Sequence, residues 1–320
     1  LGGCGLGLGY ISPVSTLMKW FPDKPGMATG MAIMGFGGGA MIGSPLAVGL
    51  MHYYASETST GVMATMLTMG VLYFCFMMFG VITARIPAPD WKPAGWNPAS
   101  AKKDKLISTN HVSADDAIKT RQFWQLWIIL CLNVTAGIGV LSVASPMIQT
   151  VLGVTAVVAG GFVGLLSLFN LLGRIGWSSL SDIIGRKTAY IIYLGLGAIV
   201  YFLVPQVATM GNLLLFVLVW GLIYSMYGGG FSTIPAYLKD LFGTYQVGAI
   251  HGRLLTAWSA AGILGPSLVV YIKNRALANG VPVEQSYNQV LYIMAGILIL
   301  GLISNLLVKP VSSKYHQPEN

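Results

Sequence analysis

Charge is what this sequence has least of. Asp, Glu, Lys and Arg make up 9% of 320 residues, about a third of the ~25% found in soluble domains. That excludes a soluble surface over most of the chain. Cysteine is nearly absent too. Cys4, Cys75 and Cys131 all fall in apolar runs, with no metal-ligand spacing to each other or to a histidine. A disulfide framework and a zinc site are therefore excluded, and the three read as small core residues. No H-E-x-x-H, G-x-S-x-G or G-x-x-x-x-G-K-[ST] pattern occurs, so enzyme chemistry has no constellation to stand on and no cofactor is called for. The match N-V-T at Asn133 lies inside an apolar run and is no glycosylation site.

What the chain has is long apolar runs, in a composition that is 55% hydrophobic. A spanning helix needs ~20 mostly apolar residues. Nine such runs are readable, at 2–18, 26–52, 62–84, 123–149, 154–177, 188–207, 213–237, 246–272 and 289–308. The chain is therefore expected to be an all-α polytopic membrane protein. The first run is short and lacks an initiator Met or polar lead-in, and it reads as a cut N-terminus rather than a signal peptide.

The net charge of +8 is distributed by side. Lys19, Lys24, Arg85, Lys92, Lys102, Lys103, Lys105, Lys119, Arg121, Arg174, Arg186, Lys187, Lys239, Arg253, Lys309 and Lys314 fall in alternate loops, the tail and adjacent helix ends, against Lys273 and Arg275 on the other side. The positive-inside rule makes the first set cytoplasmic. The charge is a topology device, so no nucleic-acid partner is expected. Residues 86–122, with Pro87, Pro89, Pro93, Pro98, the run KKDK and the pair Asp115 and Asp116, read as a polar linker between two bundles.

The stretch starting GLGYISPVSTLMKWFPDKPG at Gly7 recurs as GGGFSTIPAYLKDLFGTYQVG at Gly228. Gly7, Gly9, Tyr10, Pro13, Phe21, Gly26, Gly30 and Pro45 correspond to Gly228, Gly230, Phe231, Pro235, Phe242, Gly248, Gly252 and Pro266, at an offset of 221 or 222. The copies begin six runs apart, which gives a parallel repeat similar to the two six-helix halves of major facilitator transporters. The expected division is 1–85 as helices 4 to 6 of the first half, 86–122 as cytoplasmic linker, 123–308 as the second bundle and 309–320 as cytoplasmic tail, with about three helices preceding Leu1. The glycine-rich opening is then no phosphate loop. Gly3 with Gly7, Gly5 with Gly9, and Gly35, Gly39 and Gly43 have the spacing that lets spanning helices approach closely.

Several residues stand out as functional candidates. SDIIGRK resembles the major facilitator loop signature G-x-x-x-D-R-x-G-R-K through Asp182, Gly185, Arg186 and Lys187, while Ser178 and Ile183 depart from it. Gly185 suits a tight turn, and Asp182 suits a helix N-terminus or a neighbouring cation, as a gating device. Arg174 lies eight residues earlier, ~12 Å farther into the membrane. A cation there usually faces a cavity or partner; snorkelling or pairing with Asp182 is the plain alternative. Asn170 sits one turn away. Trp220, Tyr224 and Tyr227, with Tyr10 and Trp258, are candidate walls of a carboxylate cavity, although aromatics at this spacing commonly only pack. His52 and His251 read as interfacial.

WFPDKPGMATGMAIMGFGGGAMIGSP, TRQFWQLWIIL, AGIGVLSVASPMIQ, NLLGRIGWSSLSD and HGRLLTAWSAAGILGPS resemble the oxalate/formate antiporter family of the major facilitator superfamily. The resemblance implies alternating-access transport of small carboxylates, with substrate held by an arginine of helix 8, a lysine of helix 11 and aromatic walls. The arginine carries over to Arg174. The lysine does not: LLTAWSAAGILGPSLVVYI has none, and Ala257, Ala260 and Ala261 occupy the region. A monocarboxylate such as formate, pyruvate or lactate is therefore expected in preference to oxalate. Pro25, where the family is expected to have arginine, reads as a change in gating or topology. Exchange or facilitated diffusion is favoured over proton coupling. The remaining expectations are a monomer in the plasma (inner) membrane with a cytoplasmic C-terminus. Rival readings are a drug or sugar transporter, or a sensor on the same fold.

Overall fold

A computed structural model describes residues 2–88, 91–96, 106–108 and 110–317. The KKDK lysines Lys102, Lys103 and Lys105, with Pro89 and Pro98, lie outside the described residues. All regular structure among the described residues is helical, as expected. The helices are α1 Gly2–Trp20, α2 Pro25–Tyr54, α3 Val62–Thr83, α4 Ala114–Ala117, α5 Arg121–Leu141, α6 Ala144–Leu152, α7 Ala156–Ile184, α8 Arg186–Ile191, α9 Gly197–Thr209, α10 Leu213–Phe242, α11 Val247–Leu254, α12 Thr256–Ala278 and α13 Val283–Leu306. A π-helical turn, Ile192–Leu196, joins α8 to α9.

Eight helical spans among the described residues are long and apolar enough to cross a membrane. Gly2–Trp20, the first of the nine runs, is helical but is not one of the eight: five glycines and the polar end Lys19–Trp20 dilute its hydrophobicity. Two apolar runs that are continuous in the sequence are interrupted in the fold. Residues 123–149 break after Leu141, and 246–272 break at Leu255. Polar residues set the starts: Thr120, Thr155 and Asn212 accept from Phe123, Val158 and Leu215 amides, capping α5, α7 and α10.

The packing centre is α7, laid between α10 and α2, while α5 packs on α12 and α13. Gly228 and Gly229 bring α10 onto Asn170 and Trp177 of α7, and Gly230 brings it onto Asn133 of α5. The seam between α2 and α7 uses Gly26, Gly30, Gly37 and Gly38, whose faces meet Ser178, Arg174, Asn170 and Leu171. The sequence reading assigns packing to Gly35, Gly39 and Gly43; of these, Gly43 faces α3, where a β-carbon would stand 3.5 Å from the Tyr73 hydroxyl. At 100° per residue Gly26, Gly30 and Gly37 share one face, and Gly35 and Gly39 lie on the opposite side. Gly35 and Gly39 meet no atom within 4 Å among the described residues, nor do Gly3, Gly5, Gly7 and Gly9 of α1.

The end of the 86–122 segment is docked on the later helices. Val112 N donates to Phe242 O at 3.0 Å, Ala114 N donates to Gln246 Oε1 at 2.7 Å, and Arg253 donates to Ala114 O and Asp115. Hydrogen bonds from Lys119 and Ser113 hold the Asp116 carboxyl below its ordinary range.

Candidate functional site

Arg174 is carried by α7, two turns in from the end that bears Asp182, and its side chain is buried at 7% exposure. Its Nε donates to Asn170 Oδ1 at 2.9 Å, the i−4 contact that helical spacing dictates. Its Nη1 crosses the glycine seam and donates to Ile33 O of α2 at 3.1 Å. The guanidinium carbon stands 5.2 Å from the centroid of the Phe231 ring. No carboxylate among the described residues forms an ion pair with it. The pairing with Asp182 is therefore not made.

Aromatic rings continue from this point. Phe231 lies 6.0 Å from Tyr10 and 5.9 Å from Trp258, centroid to centroid. Tyr10 also packs edge-on against Phe36 at 5.2 Å and faces His251 at 5.6 Å. Tyr227 packs edge-on against Tyr224 at 6.1 Å and lies over Gly137 of α5. Asn170 Nδ2 donates to Tyr224 O at 3.3 Å, so Tyr224 joins through its backbone, while its hydroxyl turns to Gly137 O. Trp220 is fully buried among Phe162, Phe216, Tyr201 and Tyr224, inside the helices that follow the linker.

Two residues take a different place from the one their sequence position suggests. His251 is buried at 1% exposure rather than facing outward, because α11 packs on α1. Phe231, an unremarkable apolar residue in the sequence, joins the site. Its correspondence with Tyr10 in the repeat is the one signal that marks it.

At the nearby end of α7, charges bind the seam shut. Asp182 accepts Gly26 N and Met27 N, both at 2.9 Å, so the N-terminus of α2 sits on a carboxylate. Arg186 donates to Asp182 at 2.5 Å and to Asp240 at 3.2 Å, and also to Ser181 Oγ. Gly185 turns the chain between α7 and α8 with φ of +88°. Lys187 donates to Leu306 O and Val308 O, closing the end of α13. Pro25 is the first residue of α2, where an absent N–H removes no helix bond. Lys24 is exposed.

Comparison with known proteins places this arrangement. The profile of the Major Facilitator Superfamily matches residues 1–266. The chain belongs to that superfamily. Among solved structures it is similar to a bacterial homolog of the human lysosomal transporter Spinster, in an inward-facing and unoccupied conformation. That likeness has a TM-score of 0.59 at 14% identity, covers 92% of this chain and 73% of the other, and concerns the fold alone. Among characterised proteins, the chain is 29% identical to the oxalate:formate antiporter of Oxalobacter formigenes, over 84% of this chain and 60% of that protein. It is 25% identical to apicoplast pyruvate carrier 1 of Toxoplasma gondii, over 82% of this chain and 56% of that one. The chain thus spans 56–60% of the length of these two relatives. As a member of a transporter superfamily with eight spans, it is an integral membrane protein.

Proposed function

We propose that the protein is a secondary transporter of small organic anions, in which Arg174 holds the carboxylate and the helices on either side of the linker alternate access to it. The observation that carries this reading is a buried guanidinium with no acidic partner among the described residues, lying at the seam between α2 and α7. An intramembrane cation is costly unless a pole of opposite charge meets it. Phe231, Trp258, Tyr10 and Tyr227 supply an aromatic surround, with Asn170 orienting the guanidinium.

Monocarboxylates are the favoured class. Lys273 and Arg275, the cations of α12, lie in its last turns, where Lys273 donates to Tyr287 at 3.0 Å. Neither joins Arg174, so among the described residues α12 offers a second carboxylate no cation there. The names of the oxalate:formate antiporter and the pyruvate carrier support a small carboxylate. Asp182, Gly185, Arg186 and Lys187 form the gate on the basic face. By the positive-inside rule that face and the C-terminus are cytoplasmic, in a monomer of the plasma membrane. The segment before residue 86 and the bundle at 123–308 act as the two moving bodies.

Arg174→Gln in the full-length protein, reconstituted in proteoliposomes, tests the reading. Losing a buried charge partner costs ~3–5 kcal/mol, so carboxylate affinity falls by more than about a hundred-fold while the monomer peak persists. Unaltered affinity ends the arginine assignment.

A further inference from the structure

Buried polar atoms are nearly always hydrogen-bonded. Two at this seam are not: Tyr10 Oη and His251 Nε2 have no partner among the described residues. Both side chains are more than nine-tenths buried, and their rings face each other with centroids 5.6 Å apart. Of the other unpartnered atoms, Asp23 Oδ1 lies in the turn between α1 and α2, Thr65 Oγ1 in α3 and His316 Nε2 in the tail, while Gln125 Nε2, Asn133 Nδ2, Thr135 Oγ1 and Trp220 Nε1 lie within α5 and α10. Tyr10 and His251 instead meet across the seam, one from α1 and one from α11, and Tyr10 touches the Phe231 ring on which the guanidinium rests.

The ion pairs of the region turn elsewhere. Arg253, two residues from His251, is engaged with Ala114 O and Asp115. Beyond Phe231 the buried atoms without a partner thus belong to a phenol and an imidazole. A phenol and an imidazole together can donate to a carbonyl oxygen, or donate to and accept from a hydroxyl. They cannot neutralise a second carboxylate.

We propose that Tyr10 Oη and His251 Nε2 form a hydrogen-bonding subsite for the oxo or hydroxyl oxygen of a short monocarboxylate whose carboxylate lies on Arg174. The inference rests on the reading of Arg174 given above and narrows its substrate class to oxo and hydroxy monocarboxylates. A site built to bond an oxygen rejects the analogue that lacks it, because its own polar atoms then stay unpaired.

Matched ligands of equal chain length test it: pyruvate against propionate, and acetoacetate against butyrate, each competing with radiolabelled pyruvate on the full-length protein in proteoliposomes. At least one oxo acid is expected to bind about ten-fold more tightly than its alkyl partner. His251→Leu and Tyr10→Phe each bring that ratio close to one. His251→Gln, which keeps an N–H donor, retains most of the preference. Equal affinities in both pairs, an unchanged ratio in the variants, or equal loss of both ligands in a folded variant would overturn the subsite. Should His251→Leu not fold, Tyr10→Phe, which removes a single oxygen, decides between these outcomes. If no carboxylate competes at all, the reading of Arg174 fails, and the subsite with it.

Discussion

Tyr10 and Phe231, which hold equivalent positions in the two copies of the internal repeat, stand 6.0 Å apart across the seam. One sequence pattern thus contributes a ring from each side, and at this position the two copies differ in a single oxygen. Phe231 offers its ring to the Arg174 guanidinium, whereas Tyr10 carries a buried hydroxyl that has no hydrogen-bond partner among the described residues. On the proposed reading, divergence between the copies gives the site its two different poles.

Replacing Arg174 by lysine tests whether the fork of the guanidinium matters or only its charge. Arg174 already serves Asn170 Oδ1 and Ile33 O, and a compact ammonium cannot hold these and a carboxylate in the same planar geometry. Affinity is expected to fall by about ten-fold or more, less than in Arg174→Gln. Titration calorimetry on the purified variant reads the difference, and wild-type affinity would show that charge alone suffices.

Phe231 and Trp220 separate contact with the site from packing. Phe231→Leu removes the ring beneath the guanidinium, an interaction worth ~0.5–2 kcal/mol, so carboxylate affinity drops several-fold with little change in melting temperature. Trp220→Leu opens a cavity among Phe162, Phe216, Tyr201 and Tyr224. It lowers the melting temperature and leaves affinity alone. The reverse pattern would exchange their roles.

The glycine seam gives a paired test. A β-carbon on Gly30 would come within 2.5 Å of Arg174 O, while one on Gly35 meets nothing within 4 Å. Gly30→Val is expected to cut exchange rates by about ten-fold or more through blocked closure. Gly35→Val, facing the other way, stays near wild type. Initial rates in proteoliposomes measure both, and equal loss in the two variants would contradict the assignment of faces.

Asp182→Asn strips the α2 N-terminus of its carboxylate and leaves Arg186 with Asp240 alone. A charge at a helix N-terminus contributes ~0.3–2 kcal/mol, so the basic face spends more time open. Ser15, beside Gly248 of α11, reports this as Ser15→Cys: its labelling rate in inside-out vesicles rises several-fold. Unchanged labelling would remove Asp182 from the gate.

Legibility in the sequence follows the physics of each feature. Arg174 is readable because a lone cation in an apolar run is anomalous, and Asn170 because four residues make one helical turn. Asp182 with Arg186 has the same spacing, whereas Asp240 enters from 54 residues away and has no local mark. The glycine stripe that meets α7 goes unread in the sequence because i,i+4 spacing identifies a stripe without saying which neighbour it meets. The break at Leu255 is hidden in a continuous apolar run, and it sets α11, with His251, apart from α12. Phe231 has no polar atom to draw notice, and only its tertiary place over a guanidinium gives it a role.

Ile33 contributes nothing but a carbonyl, yet that carbonyl occupies Arg174 Nη1 from the far side of the seam. An incoming anion that takes Nη1 would displace a bond tying α2 to α7. The unloaded carrier would therefore be held together by the donor its cargo needs, and loading would unfasten it. On that account the resting protein is self-latched, and the ligand acts as the key as well as the freight.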